Sequence, residues 1–400
     1  MKQLFAPAIL FILFCSCTPS WQKLHHRSIL IDTHNDVLSS VTMRGMNIDH
    51  DLTGKTHTDI SRLEKGGMDI QVFSIFCDER FGKDTAYKYA NIEIDSLYAI
   101  VARNKNRMMM VTSPEELEQA VQSGKIGSMI GVEGGHMIEN NLDHLEALYK
   151  RGARYLTLTW NNSTEWASSA ADEARTNAPE GIHYPDTVNW KGLSLFGRQV
   201  VRKMNELGMM VDVSHVGEQT FRDVIEVTNK PVIASHSCAH ALCPVPRNLK
   251  DDQILAIGKN GGVIHLNFYS GFVDSTYNER RRVFIDNHRK ERDSLRRSKM
   301  PRYEIDEWIS EKYPEEASTL RPPLSLLLDH LDHIVKLIGI DHVGLGSDFD
   351  GIESAPVPLD DVTSFPLLTK ALMERGYTKK DVKKILGENF IRVFKANQQQ

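Results

Sequence analysis

The stretch SILIDTHND, residues 28–36, is the segment from which the fold is best predicted. Its apolar start is typical of a buried strand, and its end is polar. Side chains alternate along a strand, so we expect His34 and Asp36 on the same side, where an H-x-D pair can hold one cation. Seven further runs of this kind follow: Asp69–Cys77, Ile126–Glu133, Ala153–Trp160, Met209–His215, Pro231–His236, Gly262–Phe268 and His342–Asp348.

The segments between these runs carry helix signals. Ser113-Pro114-Glu115-Glu116 combines an N-cap, a proline at the first helical position and a capping-box glutamate. Eight strand-like runs that alternate with helices predict an α/β fold, a (β/α)8 TIM barrel. The alternative is an open doubly wound sheet, which is disfavoured because no G-x-G-x-x-G follows the first run.

Composition narrows the class of protein. The 400 residues are 41% hydrophobic and 25% charged, which excludes global disorder. A net charge of -5 argues against a nucleic-acid partner, which would require a basic face. We predict one barrel domain over residues 17–400, with a charged helical insertion at about 274–320 after the seventh run. A lid over the site and a contact in a homodimer are the alternatives for this insertion.

The first segment resembles a targeting signal. Lys2 gives a basic start, an apolar stretch follows, and the sequence then reads Phe14-Cys15-Ser16-Cys17. This pattern predicts a secretory signal of the bacterial lipoprotein type over residues 1–16, with a lipid-modified Cys17 as the first mature residue. We therefore expect an exported protein, on the periplasmic or cell-surface side, lipid-anchored to a membrane. A plain cleaved signal is the alternative. Cys238 and Cys243 could form a disulfide, although their spacing does not require it.

Candidate metal ligands stand at the ends of five runs. In a barrel of this kind the active site forms at the carboxyl ends of the strands, so these side chains should converge. Three imidazoles with several carboxylates are too many for one tetrahedral ion, and they favour two ions that share a carboxylate and a bridging hydroxide. Imidazole and carboxylate ligands suit zinc best, and manganese or cobalt is the alternative. The ligands are His34 and Asp36 on the first run, Glu133 on the third, His215 on the fifth, His236 on the sixth and Asp348 on the eighth.

Several motifs in order resemble the membrane (renal) dipeptidase family of zinc peptidases. They are residues 32–36 (DTHND), 131–136 (GVEGGH), 212–215 (DVSH), 231–237 (PVIASHS), Arg247-Asn248 and 343–351 (VGLGSDFDG). The resemblance extends from about Ile29 to Phe394 and implies a role for each matching residue. His34 and Asp36 would bind one zinc, His215 and His236 the second, and Glu133 would bridge the two. Arg247 would bind the substrate carboxylate, and Asp348 would transfer protons.

Two positions leave alternatives open. Asp350 competes with Asp348 for the acid–base role, and Asp348 is preferred because it lies nearer the strand. Relatives of the mammalian enzyme carry a histidine that contacts substrate where this chain has Trp160, and indole can neither accept a proton nor fit the same volume. Two polar residues of the seventh run, His265 and Asn267, are interpreted as filling the barrel interior.

The sequence thus predicts a zinc-dependent dipeptidase in which a metal-activated bridging hydroxide attacks the peptide bond. Glu133 and Asp348 are the candidate catalytic residues, and Arg247, Asp348 and Trp160 are the candidate contacts to a dipeptide substrate. Two other functions stay open. One is a related binuclear hydrolase acting on lactones, β-lactams or cyclic amides, and the other is an inactive surface binding protein.

Overall fold

The computed structural model describes residues 19–78, 81, 84–176, 191–300 and 302–399. The predicted signal, residues 1–16, and the predicted lipid attachment point Cys17 lie outside these residues. No helix among the described residues has both the length and the apolar character needed to cross a bilayer.

Eight parallel strands form a nearly closed barrel. Their order in the sheet is β1-β2-β4-β5-β6-β7-β8-β9. Apart from the short strand β3, which lies outside this order, neighbouring strands follow one another along the chain. The edge strands β1 and β9 come together through an Asn35–Phe349 bridge and a hydrogen bond from the Thr33 amide to the Leu345 carbonyl, 3.2 Å. The strands are β1 Ile31–Asp32, β2 Ile70–Phe76, β4 Ile126–Glu133, β5 Ala153–Thr157, β6 Met210–Asp212, β7 Ile233–Ser237, β8 Val263–Leu266 and β9 Val343–Leu345.

This arrangement confirms the predicted (β/α)8 barrel, because each of the eight predicted runs overlaps one strand of the barrel. One short strand was missed. β3, Met108–Met110, pairs with the first half of β4, on the edge that β5 joins further along. Three consecutive methionines show no alternation of polar and apolar residues, so nothing in the local pattern indicated a strand.

Helices surround the barrel. The α-helices are α1 Ser20–His25, α2 Val37–Arg44, α3 Ile60–Gly66, α4 Ala86–Arg103, α5 Pro114–Ser123, α6 Leu142–Lys150, α7 Ala170–Thr176, α8 Leu195–Leu207, α9 Glu218–Val227, α10 Asp251–Asn260, α11 Ser270–Val273, α12 Tyr277–Asn287, α13 Arg289–Arg297, α14 Arg302–Lys312, α15 Pro314–Ser318, α16 Leu324–Ile338, α17 Phe365–Glu374, α18 Lys379–Lys383 and α19 Asn389–Gln398. A π-helical turn, Lys384–Glu388, joins α18 to α19, and single 3₁₀ turns occur at Gly135–Ile138, Ile340–His342 and Val362–Ser364.

The predicted start of α5 is confirmed. The Ser113 hydroxyl accepts a hydrogen bond from the Glu116 amide, and Pro114 occupies the first helical position. The Glu116 carboxylate accepts in turn from the Thr112 amide at 2.6 Å, one residue before the cap. These bonds satisfy amides that have no partner inside the helix, which is why this short motif is readable from sequence.

The amino-terminal end of the barrel is filled with apolar side chains. Phe390, Val393 and Phe394 of α19 pack in one buried cluster with strand residues such as Ile31 and Val263. His265 fills the interior as predicted, with Nδ1 3.0 Å from the Ala234 carbonyl and its ring 5.7 Å from that of Phe390. A closed amino-terminal end leaves the carboxyl ends of the strands as the accessible face, where sites of this fold form.

The charged segment after β8 contains helices α12 to α15. Its small apolar cluster is formed by Phe284, Ile285, Ile305 and Ile309. α13 buries none of its residues, which accounts for the density of charge in the sequence. The segment is therefore a helical unit with its own core, attached to the barrel at the loop after β8.

The cysteines of the described residues are unpaired and buried. Cys238 Sγ donates to the Asn267 carbonyl and Cys243 Sγ to the Gly271 carbonyl, at 3.2 and 3.6 Å. The disulfide considered between Cys238 and Cys243 is therefore absent.

Candidate active site

Three histidines converge on Glu133, the last residue of β4: His236 lies in β7, and His34 and His215 lie in the turns after β1 and β6. His215 and His236 place Nε2 3.0 and 3.3 Å from Glu133 Oε1. His34 places its Nε2 3.5 Å from the other oxygen, Oε2. The two oxygens of one buried carboxylate therefore face different histidines, which is the arrangement that a bridging ligand requires.

A second group of ligands adjoins the first. Ligand atoms of His34, Asp36 and Asp348 all lie within 4.8 Å of one another, as do those of His34, Glu133 and His236. His34 Nε2 is 3.4 Å from Asp36 Oδ2. The six predicted ligand and acid–base residues thus occupy one region at the carboxyl ends of the strands. His34 belongs to both groups.

Hydrogen bonds fix the tautomers of two of these histidines. Tyr155 Oη donates to the Thr33 carbonyl at 3.0 Å, so it accepts from His34 Nδ1 at 2.8 Å. Ser235 Oγ donates to Asp212 Oδ2 at 2.5 Å and accepts from His236 Nδ1 at 2.8 Å. In both rings Nδ1 therefore carries a proton, and Nε2 is directed into the site.

The residues fit a metal centre by the chemistry of their donor atoms. His34 Nε2 and Asp36 Oδ1 are buried and have no hydrogen-bond partner among the described residues. The Nε2 atoms of His215 and His236 lie 3.1 Å apart, an approach of two ring nitrogens that a shared cation would explain. Buried polar atoms ordinarily have partners, so a set of convergent unpaired donors is what metal ligands show.

The electrostatics also favour cations. Burial lowers the pKa of His215 to about 4, and burial likewise lowers the pKa of His236, so both rings are neutral near pH 7. Burial by itself would raise the pKa of Glu133, but His34 and the hydrogen bonds of the other histidines bring it well below its ordinary value. A buried carboxylate beside neutral imidazoles is a strong ligand set for zinc.

His215 and Asp348 have a left-handed backbone. Their φ angles are 64° and 62°, and Asp350 shows 69°. Residues other than glycine adopt this conformation at a cost, and it persists where surrounding contacts hold it. Here the conformation turns the chain sharply just after β6 and β9.

The two aspartates after β9 have different surroundings. Asp348 Oδ2 accepts from Asn267 Nδ2 at 2.8 Å, and burial together with the nearby Asp36 raises its pKa well above the ordinary value. Asp350 Oδ1 instead accepts from the His57 amide at 2.7 Å. Asp348 therefore belongs to the ligand cluster, whereas Asp350 ties the loop to residue 57.

Arg247 lies on the loop after β7 and is 9% exposed. Among the described residues, its hydrogen bonds go to two neutral oxygens, Ser237 Oγ at 2.7 Å and the His236 carbonyl at 2.8 Å. Its Nε has no hydrogen-bond partner in the described part of the chain. Arg247 and His215 line one cavity of about 520 Å³. A buried guanidinium with donors to spare, beside a ligand histidine, can bind an anionic group of a substrate.

Trp160 lies three residues beyond the end of β5. Its ring is 4.9 Å from that of Phe76, which pairs with Glu133 in the sheet. The two rings form an apolar wall on the side of the site where β2, β4 and β5 end.

Several residues that hold the site residues in position were not predicted from the sequence. Asn267 was interpreted as barrel filling, and this was wrong because its amide binds Asp348. Asp32 accepts from the Ser347 amide and hydroxyl at 2.7 and 2.6 Å, and Asp212 accepts likewise from Ser235. Each of these aspartates fixes the serine just before a site residue. An acidic residue inside an otherwise apolar run was the only available signal.

Comparison with known proteins agrees with this geometry. Three solved structures are similar over nearly their whole length. They are the dipeptidase AC, described as a metallopeptidase of family M19 (26% identity, TM-score 0.73, 92% of this chain and 98% of that one), the probable dipeptidase PvdM from Pseudomonas aeruginosa (25%, 0.75, 94% and 97%), and a metallopeptidase from Rhodobacter sphaeroides (25%, 0.73, 92% and 99%). The last was solved with a phosphinate mimic of the dipeptide L-Ala-D-Ala.

The model of the membrane dipeptidase family, peptidase family M19, matches residues 19–400, which confirms the resemblance predicted from the motifs. This match spans the barrel, all the converging ligands and the charged segment. The chain therefore belongs to the membrane dipeptidase family and is a metallo-dipeptidase.

Proposed function

We propose that this protein is a zinc-dependent dipeptidase with two zinc ions per chain. One observation carries the proposal. The two oxygens of Glu133 face His34 on one side and the pair His215 and His236 on the other. Asp36 would complete the site that His34 begins. Zinc bound there would lower the pKa of water and polarise a carbonyl group.

The protein's own residues account for substrate placement and proton transfer. Arg247, whose Nε is unpaired, would bind the carboxylate of a dipeptide and so place the scissile bond near Glu133. Asp348, which lies among the ligands and whose pKa is raised by burial and by Asp36, would take a proton from water as a carboxylate and deliver it to the leaving amine. Trp160 and Phe76 would form an apolar wall beside the scissile bond.

The proposal predicts a preference for short peptides. The guanidinium of Arg247 has a fixed position, so it can bind the substrate carboxylate only when that group lies one residue from the scissile bond. A larger peptide places its carboxylate elsewhere and loses this charge-assisted bond. A lactone or a cyclic amide without a carboxylate cannot form this contact with Arg247.

The test combines metal analysis with a substrate panel. We expect about two zinc ions per chain, and hydrolysis of dipeptides well above that of dipeptide amides, lactones, β-lactams and cyclic amides. Preferential hydrolysis of the cyclic substrates would favour the related binuclear hydrolase instead. Bound metal without hydrolysis of any substrate would favour a surface binding protein.

We also propose that the mature protein is exported and held at a membrane by lipid on Cys17. The support is the order of basic start, apolar stretch and Ser16-Cys17 in the sequence. Cys17→Ser should abolish lipid labelling and move the protein out of the membrane fraction, whereas Cys15→Ser should change neither. Unchanged labelling in Cys17→Ser contradicts the proposal.

A further inference from the structure

The charged segment is joined to the active site by a buried ion pair. Arg281 of α12 places Nε 2.8 Å from Glu353 Oε1 and Nη1 3.3 Å from Asp306 Oδ2 of α14. The Arg281 and Glu353 side chains are 16% and 13% exposed. Glu353 follows Asp348 by five residues on the loop after β9. Removing one partner of a pair this well shielded from water costs more than removing one partner of an exposed pair, because the remaining charge is left without its counter-ion.

From Glu353 the contacts continue to Asp348. Tyr269 Oη donates to Glu353 Oε1 at 2.9 Å. The Tyr269 amide donates to Asn267 Oδ1 at 2.6 Å, and Asn267 Nδ2 donates to Asp348 Oδ2 at 2.8 Å. Because the Tyr269 amide occupies Oδ1, the Asn267 side chain can present only its NH₂ group to Asp348.

The two loops are also tied together directly. The Ser270 amide donates to the Ser354 carbonyl at 2.9 Å, and their hydroxyls are 2.8 Å apart. Asp348 itself has a positive φ, so it depends on surrounding contacts to keep its backbone turned toward the ligands. The loops after β8 and β9 therefore form one unit, and Arg281 neutralises the acidic group at its outer edge.

We propose that Arg281 is a positioning residue for Asp348, acting through Glu353, Tyr269 and Asn267. This inference rests on the proposed function, in which Asp348 transfers the proton. The charged segment is then a support of the active site rather than a solvated appendage. Without the guanidinium, Glu353 and Asp306 lose the cation that both contact, Glu353 turns toward water, and Tyr269 loses its acceptor.

The experiment compares Arg281→Gln with Arg282→Gln in the full chain. Arg282 is the next residue, but its side chain is 59% exposed, and within the described part of the chain it pairs only with Glu279 on its own helix. Removing a group that orients a site residue typically lowers activity by about 10- to 100-fold. For Arg281→Gln we expect kcat about tenfold lower with KM within about twofold, and for Arg282→Gln we expect wild-type values.

A second readout does not depend on bound metal. In metal-free protein, amide hydrogen exchange should be faster over residues 267–270 and 348–354 in Arg281→Gln, and unchanged there in Arg282→Gln. Arg281→Lys, which keeps the charge, should restore part of kcat. Because the two residues act together, Arg281→Gln combined with Glu353→Gln should lower kcat no more than Glu353→Gln alone.

Further variants keep the test decisive. If Arg281→Gln does not fold, Tyr269→Phe removes only the hydroxyl bond to Glu353, and it should lower kcat in the same way. Wild-type kcat and unchanged exchange in a folded Arg281→Gln or Tyr269→Phe overturn the inference. Asp348→Asn serves as the reference. If it keeps full activity, the proposed role of Asp348 fails, whereas a dead Asp348→Asn beside a fully active Arg281→Gln refutes only the positioning role.

Discussion

At the scale of single residues, Asp348 and Asp350 offer a direct comparison. Both follow β9, both have positive φ, and only Asp348 touches the ligand cluster. Asp348→Asn keeps the shape and the left-handed backbone but removes the proton acceptor. We expect kcat to fall by at least roughly a hundredfold, with zinc content nearly unchanged.

Asp350→Asn is the matched control. Its carboxylate accepts from the His57 amide, and an asparagine oxygen can accept the same bond. Steady-state kinetics of the two purified variants should show a large defect for Asp348→Asn alone. A larger defect in Asp350→Asn would mean that the two roles are reversed.

The proposed role of Arg247 predicts that hydrolysis depends on the negative charge of the substrate carboxylate. Removing one partner of a buried, charge-assisted pair costs about 2–5 kcal/mol, because the other charge is left unpaired. Arg247→Ala should therefore lower kcat/KM for dipeptides by the factor that corresponds to this free energy. It should change kcat/KM for dipeptide amides far less. The wild type should also strongly prefer the free acids.

Arg222 is the control for this change. It lines the same cavity, but its side chain is 58% exposed, so Arg222→Ala should cost less than about 1 kcal/mol on either substrate. Metal analysis must accompany the Arg247 variant, since Arg247 also binds the His236 carbonyl. Equal wild-type rates on acids and amides would exclude the carboxylate clamp.

At the scale of elements, the packing of β4 against β5 fixes the orientation of His34, although His34 lies on neither strand. Tyr155 reaches His34 because Gly131, its partner on β4, has no side chain. A Cβ on Gly131 would lie 2.0 Å from the Tyr155 ring carbon Cζ. Gly131→Ala should therefore displace the Tyr155 ring and cost about 1–3 kcal/mol of stability, as overpacked cores do.

The same variant should bind zinc about 10- to 100-fold more weakly, because the hydroxyl that orients His34 is moved. Ser128→Ala, on the same strand, is the control. Its hydroxyl has no hydrogen-bond partner among the residues that the structure describes, so its loss should change neither property. Zinc titration and urea unfolding measure both effects. Wild-type zinc affinity in Gly131→Ala would show that Tyr155 does not hold His34 in place.

At the scale of the whole molecule, metal should stabilise the fold. The proposed ligands come from four of the eight barrel strands or the turns that follow them, so ions bound there link half of the barrel strands. A ligand at a thousand times its dissociation constant adds about 4 kcal/mol to the free energy of unfolding. Chelation should therefore lower Tm, and added zinc should restore it.

Glu133→Gln is the control for the chelation experiment. It removes the negative charge between the two groups of ligands, so its Tm should depend much less on chelator, and its metal content should fall below two ions. If the Tm of the wild type changes neither with chelator nor with added zinc, the result would contradict a metal centre shared by these strands.

The positions of the strands and of the polar residues at their ends could be predicted from the sequence. Both are local properties. An apolar run of the length of a strand is visible in consecutive residues, and parallel strands bring their carboxyl ends to one face. For that reason His34, Asp36, Glu133, His215 and His236 were predicted individually. The converging geometry found around Glu133 agrees with this reasoning.

The contacts that orient these ligands were decided only by the tertiary structure. Tyr155 is 121 residues from His34, Asn267 is 81 from Asp348, and Asp32 is 315 from Ser347. No local pattern records such pairs, because they arise only when the barrel closes and brings distant strands side by side. The residue types at the strand ends therefore determine which chemistry is available. Barrel closure determines the tautomers, the neighbours of each carboxylate, and the link from Arg281 to the site.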